Sequence, residues 1–278
     1  SLWSGSGYEG ISRFHKNKLV NWNNTGNLKD NNCEYLFPTS NGKIFACTEN
    51  GVTVIDPGMT DPLRDHYGFE RKYGRAPELF GGYAAPGSVY WFYGSQGLYR
   101  LEGNKLVEDS VERMPVKNLY INRIIADKKG NTWIATQGKG LLQCRIKDGR
   151  LILEKQYDSR QGVPSNNALS VIADKNDNIW FGDYMSLSLL TYDGNKMQLV
   201  SFNEKDGLLS TYYQSFKLEQ QKDGTIWGIT TSGVFSFHPD SVDQNSLPPV
   251  LLLNRVIHSD SSSYNTNLTY QNPVNEFS

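Results

Sequence analysis

An aromatic residue recurs along this chain at near-constant spacing, each time within a short run of apolar residues that follows a turn-forming segment. Six such anchors are present: Trp3, Phe45, Trp91, Trp133, Trp180 and Trp227. Consecutive anchors lie 42 to 47 residues apart, and the last three are spaced by 47. A fixed period of this length is typical of repeated supersecondary units that stack on one another. We therefore expect about six copies of one structural unit.

Each period also contains a regular pattern of strands. After each anchor comes a glycine with alternating apolar residues, as in Gly97–Leu101 and Gly140–Cys144, which is typical of a hairpin with a positive-φ corner. A further strand is predicted before the later anchors, for example Ile121–Ala126 and Phe216–Gln220, and a fourth after the hairpin, as in Leu151–Tyr157. Four strands per period predict a β-propeller blade, with the aromatic anchor filling the seam between neighbouring blades.

The predicted fold class is therefore all-β, with about six four-stranded propeller blades that form part of a seven-bladed propeller. Aromatic residues make up 12% of the chain, which suits half-buried pleated sheets. The formal net charge of -1 provides no basic surface for nucleic acid, so a nucleic-acid partner is not expected. The three cysteines lack a metal-binding or disulfide-framework spacing and are expected to be buried free thiols.

Several motifs resemble one known family. The run Asn122–Thr136, followed by Gly140 and Leu141, is similar to the two-component regulator propeller repeat of hybrid sensor histidine kinases in gut Bacteroidetes. Gly162–Asn167 resembles the segment that opens the next repeat in that family. Leu247–Leu253 resembles the junction to the immunoglobulin-like sandwich that follows the propellers. The resemblance implies blades over residues 1–246, and the junction and first strands of a sandwich over residues 247–278.

The resemblance also implies a cellular context. In the family, two propellers and the sandwich form the periplasmic part of an inner-membrane protein, and a membrane helix connects them to a cytoplasmic kinase. Expected partners are an oligosaccharide or other small molecule, a second propeller and the sandwich of the same protein, and a second copy in a homodimer. No cofactor is implied. This chain departs from the pattern by opening inside a blade without its first strand, and by carrying Tyr184–Leu187 where the fifth repeat normally has a glycine pair.

Motifs for catalysis are weak. Asp174–Asn178 imitates the start of a calcium loop but lacks the later glycine and glutamate, so we interpret it as a β-turn. The four histidines share no metal-ligand spacing, and no common nucleophile, zincin or nucleotide-binding motif is visible. The turn from Asp127 to Trp133 is close to the Asp-box of sialidase propellers, which is itself structural. We expect no catalytic or metal residue in this segment.

Loops on one face of the propeller are the predicted binding surface. If the strands of each blade run outward from the channel, the connections between blades and the turns after each anchor strand share a face. The residues predicted there to bind a ligand are Tyr8, Glu9, Glu49 with the adjacent Asn50, Gln96, Gln137, Lys139, Asp183, Tyr184, Tyr212, Tyr213 and Gln214. Aromatic rings beside amides and a few charges suit a sugar. The alternative for each is an ordinary solvated loop residue.

Three functions remain open at this stage. The first is an extracytoplasmic ligand-sensing module of a hybrid two-component protein that recognises an oligosaccharide and controls polysaccharide-utilisation genes. The second is a carbohydrate-active propeller hydrolase or lyase, in which Asp183 or Glu9 would carry the chemistry. The third is a protein-interaction scaffold. Fold alone does not choose among them, because function depends on the loops that the fold carries.

Overall fold

Six sheets built from antiparallel hairpins follow one another along the part of the chain that the computed structural model describes, and each contains one anchor. The described residues are 1–24, 28–69, 77–86, 89–114, 119–193, 196–208 and 216–242, with four two-residue strands beyond them. Two units divide the chain, Ser1–Phe237 and His238–Ser278. The first unit contains the six sheets, which are arranged as propeller blades, as the repeat predicts.

Blades 1 to 3 occupy the first part of this unit. Blade 1 has three strands in the described residues, β1 (Leu2–Ser6), β2 (Gly10–His15) and β3 (Lys18–Trp22). Blade 2 has the strands β4 (Cys33–Pro38), β5 (Ile44–Thr48), β6 (Gly51–Ile55) and β7 (Leu63–Gly68). Blade 3 has the strands β8 (Leu79–Ala85), β9 (Val89–Gly94), β10 (Gly97–Glu102) and β11 (Lys105–Asp109).

Blades 4 to 6 follow. Blade 4 consists of β12 (Val111–Glu112), β13 (Ile121–Ala126), β14 (Asn131–Thr136), β15 (Gly140–Lys147) and β16 (Arg150–Tyr157), with the short β12 added parallel to β16. Blade 5 consists of β17 (Ser170–Ala173), β18 (Ile179–Gly182), β19 (Leu187–Asp193) and β20 (Lys196–Phe202). Blade 6 has three strands in the described residues, β21 (Phe216–Gln220), β22 (Ile226–Thr230) and β23 (Gly233–Phe237).

Glycine corners set the hairpins, as the sequence predicts. Gly140 opens β15 with φ of +68°, a backbone conformation that side chains rarely adopt. A Cβ at this position would collide with the backbone carbonyl of Tyr157 on β16. The corresponding glycines of blades 1, 2, 3 and 6 also have positive φ: Gly10, Gly51, Gly97 and Gly233. Glycine is therefore needed at this corner of the hairpin, because the backbone of the neighbouring outer strand lies against it.

The anchors fill the seams between blades. Trp133 is fully buried with Val171 and Phe181 of blade 5, and Trp91 is fully buried with Ile121 and Ile134 of blade 4. Trp180 contacts Phe237 of blade 6 with ring centroids 4.9 Å apart. Each of these three anchors thus faces the blade that follows it in sequence. Apolar burial and close packing at these seams stabilise blades that cannot cover their own faces.

Trp227 differs from the buried anchors. It is 41% exposed, and its neighbours Ile229 and Val234 are 46% and 55% exposed. Blade 6 is the last of the described blades, so this face has no following blade among the described residues. The prediction of a seam-filling aromatic is therefore confirmed for the inner seams but not for Trp227. The seventh blade stays a prediction.

The second unit is described only by four short strands. β24 (Leu252–Leu253) pairs with β27 (Leu268–Thr269), and β25 (Val256–Ile257) pairs with β26 (Ser263–Tyr264). The remainder of the predicted sandwich start over residues 247–278, and the predicted boundary after residue 246, lie outside the described residues. Across the described part of the chain, no helix is long and apolar enough to cross a membrane.

The three cysteines are buried free thiols, as predicted. Burial raises the pKa of Cys33 and of Cys144 to about 12, and it also raises the pKa of Cys47. A thiol held in its neutral form is a poor nucleophile, so these residues act as small apolar side chains of the seams.

Candidate ligand-binding site

A cavity of about 370 Å³ lies where the innermost strands of blades 2 to 6 converge. The strands that contribute are β4, β8, β13, β17 and β21, which neighbour one another in sequence order. Its lining residues are Glu34, Tyr35, Phe80, Tyr93, Tyr120, Asn122, Arg123, Gln137, Leu169, Ser170, Phe216, Lys217 and Glu219. We call this space the channel cavity. Its volume lies within the range of small-molecule sites, roughly 300–1000 Å³.

The lining follows a simple rule of position. In each of blades 2 to 6, the residues ten and eleven positions before the anchor are at the start of the innermost strand. These pairs are Glu34 with Tyr35, Phe80 with Gly81, Asn122 with Arg123, Leu169 with Ser170, and Phe216 with Lys217. All of them except Gly81 line the cavity. Gly81 has no side chain, and the Tyr93 ring occupies the space beside it.

β-bulges direct several of these side chains. The pairing register shifts between Cys33 and Tyr35 in β4, between Leu79 and Gly81 in β8, and between Ile121 and Arg123 in β13. The extra residue in each case is the first of the pair, namely Glu34, Phe80 or Asn122. A bulged residue leaves the regular ladder, and the bulge re-aims its side chain. The bulges thus convert three strand positions into cavity-lining positions.

Aromatic rings form part of the wall. Phe80 of blade 3 and Tyr120 of blade 4 lie with ring centroids 4.8 Å apart and planes inclined by 33°. Burial raises the pKa of Tyr120, and the neighbouring Glu78, Tyr184 and Glu34 raise that pKa further. The Tyr120 hydroxyl therefore stays a neutral donor and acceptor at physiological pH. The wall thus combines apolar ring faces with a neutral hydroxyl, as is usual in small-molecule sites.

Polar side chains supply directional contacts beside these rings. Asn122 donates from Nδ2 to the carbonyl of Ala168 at 2.7 Å, which ties blade 4 to the start of blade 5. Ser170 accepts at Oγ from the amide of Leu218 at 3.0 Å, which ties blade 5 to blade 6. Both bonds fix the side chains that carry them. A ligand would therefore meet a largely preorganised wall, which lowers the entropic cost of binding.

The loops predicted to share a face meet one another in several blades. In these blades the turn after the anchor strand is hydrogen-bonded to a segment that precedes an innermost strand. The amide of Gly140 donates to the carbonyl of Asn166 at 2.6 Å, and the amide of Ser95 donates to the carbonyl of Glu78 at 3.0 Å. Between-blade connections and anchor-strand turns thus share one face, and the channel cavity lies at that end of the innermost strands.

The predicted residues are spread unevenly over this face. Gln137 lines the cavity, and Tyr184 lies close enough to Tyr120 to influence its pKa. The other predicted residues in the described part of the chain, apart from Asp183, occupy turns or rims and are not among the described lining residues: Tyr8, Glu9, Glu49, Asn50, Gln96 and Lys139. Tyr8 is 88% exposed on blade 1. Tyr212, Tyr213 and Gln214 lie outside the described residues.

Asp183 forms its hydrogen bonds within its own turn. It is 1% exposed, and its carboxylate accepts hydrogen bonds from the Met185 amide, the Ser186 amide and the Ser186 hydroxyl at 2.7–2.8 Å. Burial raises its pKa, while these three bonds oppose the rise. The carboxylate organises the turn of blade 5 where other blades use glycine. This explains the remodelled corner that the sequence indicates at Tyr184–Leu187.

The other aspartates singled out in the sequence also cap turns. Asp174 accepts from the amides of Asn176 and Asn178 and, at 3.0 Å, from the indole nitrogen of Trp180. Asp127 binds Asn131 and the Trp133 indole in the same way. The interpretation of Asp174–Asn178 as a β-turn is confirmed. Within the described residues, no group of three or more His, Cys, Asp or Glu side chains could hold a metal ion.

Sequence reasoning missed most of the cavity lining. The sequence pattern predicts that strand positions such as Asn122, Arg123 and Ser170 belong to the blade framework, because side chains of a regular strand point only to the two faces of the sheet. The usable signal is the offset from the anchor, since the same two positions recur in every complete blade. It identifies a position and not a residue type, as Glu, Phe, Asn and Leu are found at equivalent places.

Comparison with solved structures identifies the fold. An extracellular domain assigned to a hybrid two-component system of B. thetaiotaomicron superposes with a TM-score of 0.58 at 15% identity, over 96% of this chain and 42% of that chain. The chain thus has the same β-propeller fold as this extracellular domain. Virginiamycin B lyase from Staphylococcus aureus also superposes, with a TM-score of 0.59 at 13% identity over 87% of this chain and 84% of that chain.

One curated relative matches in sequence. Histidine kinase P4 of Formosa agariphila is 28% identical over 100 residues, which cover 36% of this chain and 7% of the kinase. No protein-family model matches the chain. The propeller thus spans less than half of the sensor ectodomain that it matches and a small part of the kinase. Its fold is shared both with sensors and with an enzyme.

Proposed function

We propose that this chain is the ligand-sensing part of an extracytoplasmic sensor, and that its channel cavity binds an oligosaccharide. In this proposal the segment belongs to the periplasmic side of a hybrid two-component protein and catalyses no reaction itself. The observation that carries the proposal is the channel cavity, where the Phe80 and Tyr120 rings lie next to Asn122, Gln137 and Ser170. The sensor ectodomain with the same fold supports the cellular role.

The charges of the cavity favour a neutral ligand. Glu34 and Glu219 contribute two carboxylates, and Arg123 and Lys217 contribute two cations. The described lining is therefore formally balanced, and it exerts little net attraction on an anion or a cation. Neutral sugars present apolar ring faces to aromatic side chains and hydroxyls to amides, so they match this wall better than charged metabolites do.

Signalling requires a differential affinity between two states of the sensor. A ligand that binds both arrangements of a homodimer equally well shifts nothing. We propose that the bound oligosaccharide stabilises one arrangement of this propeller against a second propeller, and that the sandwich passes the change to the membrane. The output in this proposal is control of polysaccharide-utilisation genes.

Calorimetric titration tests the binding step. Maltotriose, cellotriose, xylotriose and mannotriose are titrated into the intact chain and into the Gln137→Ala and Tyr120→Ala variants. We expect one of them to bind and both variants to weaken that binding by about tenfold, since each removes a contact worth about 1–2 kcal/mol. Gln198→Ala is the matched control, because Gln198 is exposed on the outermost strand of blade 5.

Two further measurements separate this proposal from its rivals. Tyr8→Ala tests the wider predicted face, since Tyr8 is exposed on blade 1 and does not line the described cavity. Equal binding by Tyr8→Ala and the parent, together with weaker binding by the two cavity variants, supports the cavity as the site. Absence of binding to every probe contradicts the proposal. Conversion of a bound probe to shorter products favours the hydrolase or lyase instead.

A further inference from the structure

The turn after the anchor strand of blade 5 is longer than its counterparts in the other described blades. In blades 1 to 4 and in blade 6, two or three residues connect the last paired residue of the anchor strand to the first paired residue of the next strand. In blade 5 four residues, 183–186, connect Gly182 to Leu187. Leu187 occupies the position of the corner glycine and is 3% exposed. We call residues 183–186 the blade 5 turn.

The first residue of the blade 5 turn holds it in one conformation. Asp183 is 1% exposed, and its amide donates to the carbonyl of Ser186 at 2.9 Å. Its carboxylate accepts from the amides of Met185 and Ser186 and, at 2.8 Å, from the Ser186 hydroxyl. These bonds close the turn without a glycine. The two residues at the tip, Tyr184 and Met185, are therefore carried by a preorganised support.

The base of the blade 5 turn adjoins the wall of the channel cavity. Phe216 of blade 6 lines the cavity, and its ring packs on Gly182 so closely that a Cβ there would overlap it. The carbonyl of Gly182 also accepts from the amide of Leu169, another lining residue, at 2.8 Å. Because Gly182 directly precedes the turn, the turn begins at the rim of the cavity.

The tip of the turn lies near the aromatic part of the wall. Tyr184 is partly buried and lies close enough to Tyr120 to act on the pKa of that phenol. Tyr120 in turn packs on Phe80, with ring centroids 4.8 Å apart. Met185, beside Tyr184, is 55% exposed. Aromatic side chains of blades 3, 4 and 5 thus follow one another from the cavity wall to its rim.

We propose that Tyr184 is a specificity-determining residue at the rim of the channel cavity, and that Asp183 is the residue that positions it. The inference rests on the proposed function and adds a subsite outside the cavity. The cavity volume of about 370 Å³ is at the low end of the range for small-molecule sites, so a bound trisaccharide extends beyond it. The Tyr184 ring packs against the apolar face of the outer sugar, and affinity then depends on that sugar.

Titration with two chain lengths tests the rim subsite. The trisaccharide that binds in the panel above is compared with the disaccharide of the same series. We expect the parent to bind the trisaccharide about tenfold more tightly, and Tyr184→Ala to reduce this ratio to about twofold, because the stacking ring is lost. Tyr184→Phe keeps the ring and should keep the ratio. Tyr184→Leu lacks the aromatic face and is a second variant if Tyr184→Ala does not fold.

Variants of Asp183 test the positioning role. Asp183→Ala removes the three side-chain bonds of the turn and should reduce the ratio as Tyr184→Ala does. Asp183→Asn retains an oxygen that accepts from the two amides, so it should restore the ratio. Met59→Ala is the matched control, because Met59 is 50% exposed in the turn between β6 and β7 and is not among the described lining residues.

The outcomes are separable. If Tyr184→Ala keeps the ratio of the parent, or weakens the binding of both sugars equally, the rim subsite is overturned while oligosaccharide binding by the cavity stands. Equal affinity of the parent for both sugars overturns the subsite as well. An unchanged ratio in Asp183→Ala, or its loss in Asp183→Asn, overturns the positioning role. Failure of every probe to bind the parent chain overturns the proposed function, and this inference falls with it.

Discussion

Single carboxylates hold the turns that bring each buried tryptophan into its seam. Asp127 and Asp174 occupy equivalent positions in blades 4 and 5, each six residues before its anchor. Each accepts the indole N–H of that anchor, at 2.9 Å and 3.0 Å respectively. Blade 6 has Gln221 at the equivalent position. The carboxylate thus satisfies a buried indole donor that would otherwise lack a partner, which costs about 1–3 kcal/mol.

Asp174→Asn is expected to destabilise the chain despite its similar shape. The amide oxygen can still accept from the Asn176 and Asn178 amides, but the amide nitrogen cannot accept from the Trp180 indole. We expect a loss of roughly 1–3 kcal/mol in the free energy of unfolding, and a larger loss for Asp174→Ala. Urea denaturation followed by tryptophan fluorescence measures both. The control Asp223→Asn lies in an exposed turn and should change stability by less than about 0.5 kcal/mol.

Asp183→Asn is expected to change how stability depends on pH. Burial raises the pKa of Asp183 in the folded chain above its unfolded value of about 3.9. Its contribution to stability is therefore fully present below pH 3.9 and is lost as the pH rises through the folded pKa. Asparagine carries no such charge, so Asp183→Asn should gain stability relative to the parent over that window. Denaturation midpoints measured between pH 4 and pH 7 check this, with the exposed Asp61→Asn as control. Parallel pH profiles would contradict it.

At the scale of elements, three parts of each blade have three different roles. Glycine corners shape the hairpin, the anchor strand fills the seam, and the start of the innermost strand faces the channel. In blades 2 to 4, bulges in β4, β8 and β13 release one residue from the regular alternation of the strand. In blades 5 and 6 the equivalent positions line the cavity from the start of a regular ladder.

Gly140→Ala is expected to be far more costly than Gly149→Ala. Both glycines have positive φ, +68° and +72°, so both substitutions introduce backbone strain of about 1 kcal/mol. A Cβ at Gly149 would meet nothing within 4 Å, whereas one at Gly140 would overlap the backbone carbonyl of Tyr157. We expect Gly140→Ala to cost about 3 kcal/mol or more in total. Equal melting temperatures for the two variants would show that the corner is not closely packed.

At the scale of the whole molecule, the contribution of each anchor to stability depends on how completely a neighbouring blade covers it. Trp180→Ala should cost roughly 3–5 kcal/mol, because the indole is 1% exposed between blades 5 and 6. Trp227→Ala should cost less than about 2 kcal/mol, since its ring is 41% exposed. Chemical denaturation of both variants measures the contrast. A similar loss for both would indicate that Trp227 is buried in solution by a further packing partner.

Much of this architecture could be predicted from the sequence, since the features that build it repeat. The strands Ile121–Ala126 and Phe216–Gln220 match the observed β13 and β21. The channel cavity could not be predicted in the same way. Its lining positions recur at fixed offsets, but Glu34, Phe80, Asn122 and Leu169 share no chemical type. A bulge also depends on the pairing of two strands, which no single segment of sequence reveals.

The bulged starts of the innermost strands have a consequence for how such molecules diversify. A substitution at Glu34, Phe80 or Asn122 changes the wall of the channel cavity, yet it removes no strand-pairing bond of the blade and no buried anchor. The wall of the cavity can therefore change one blade at a time while the rest of the fold stays the same. Under the proposed function, related molecules that share the buried anchors and differ at these few positions would recognise different ligands with little change in stability.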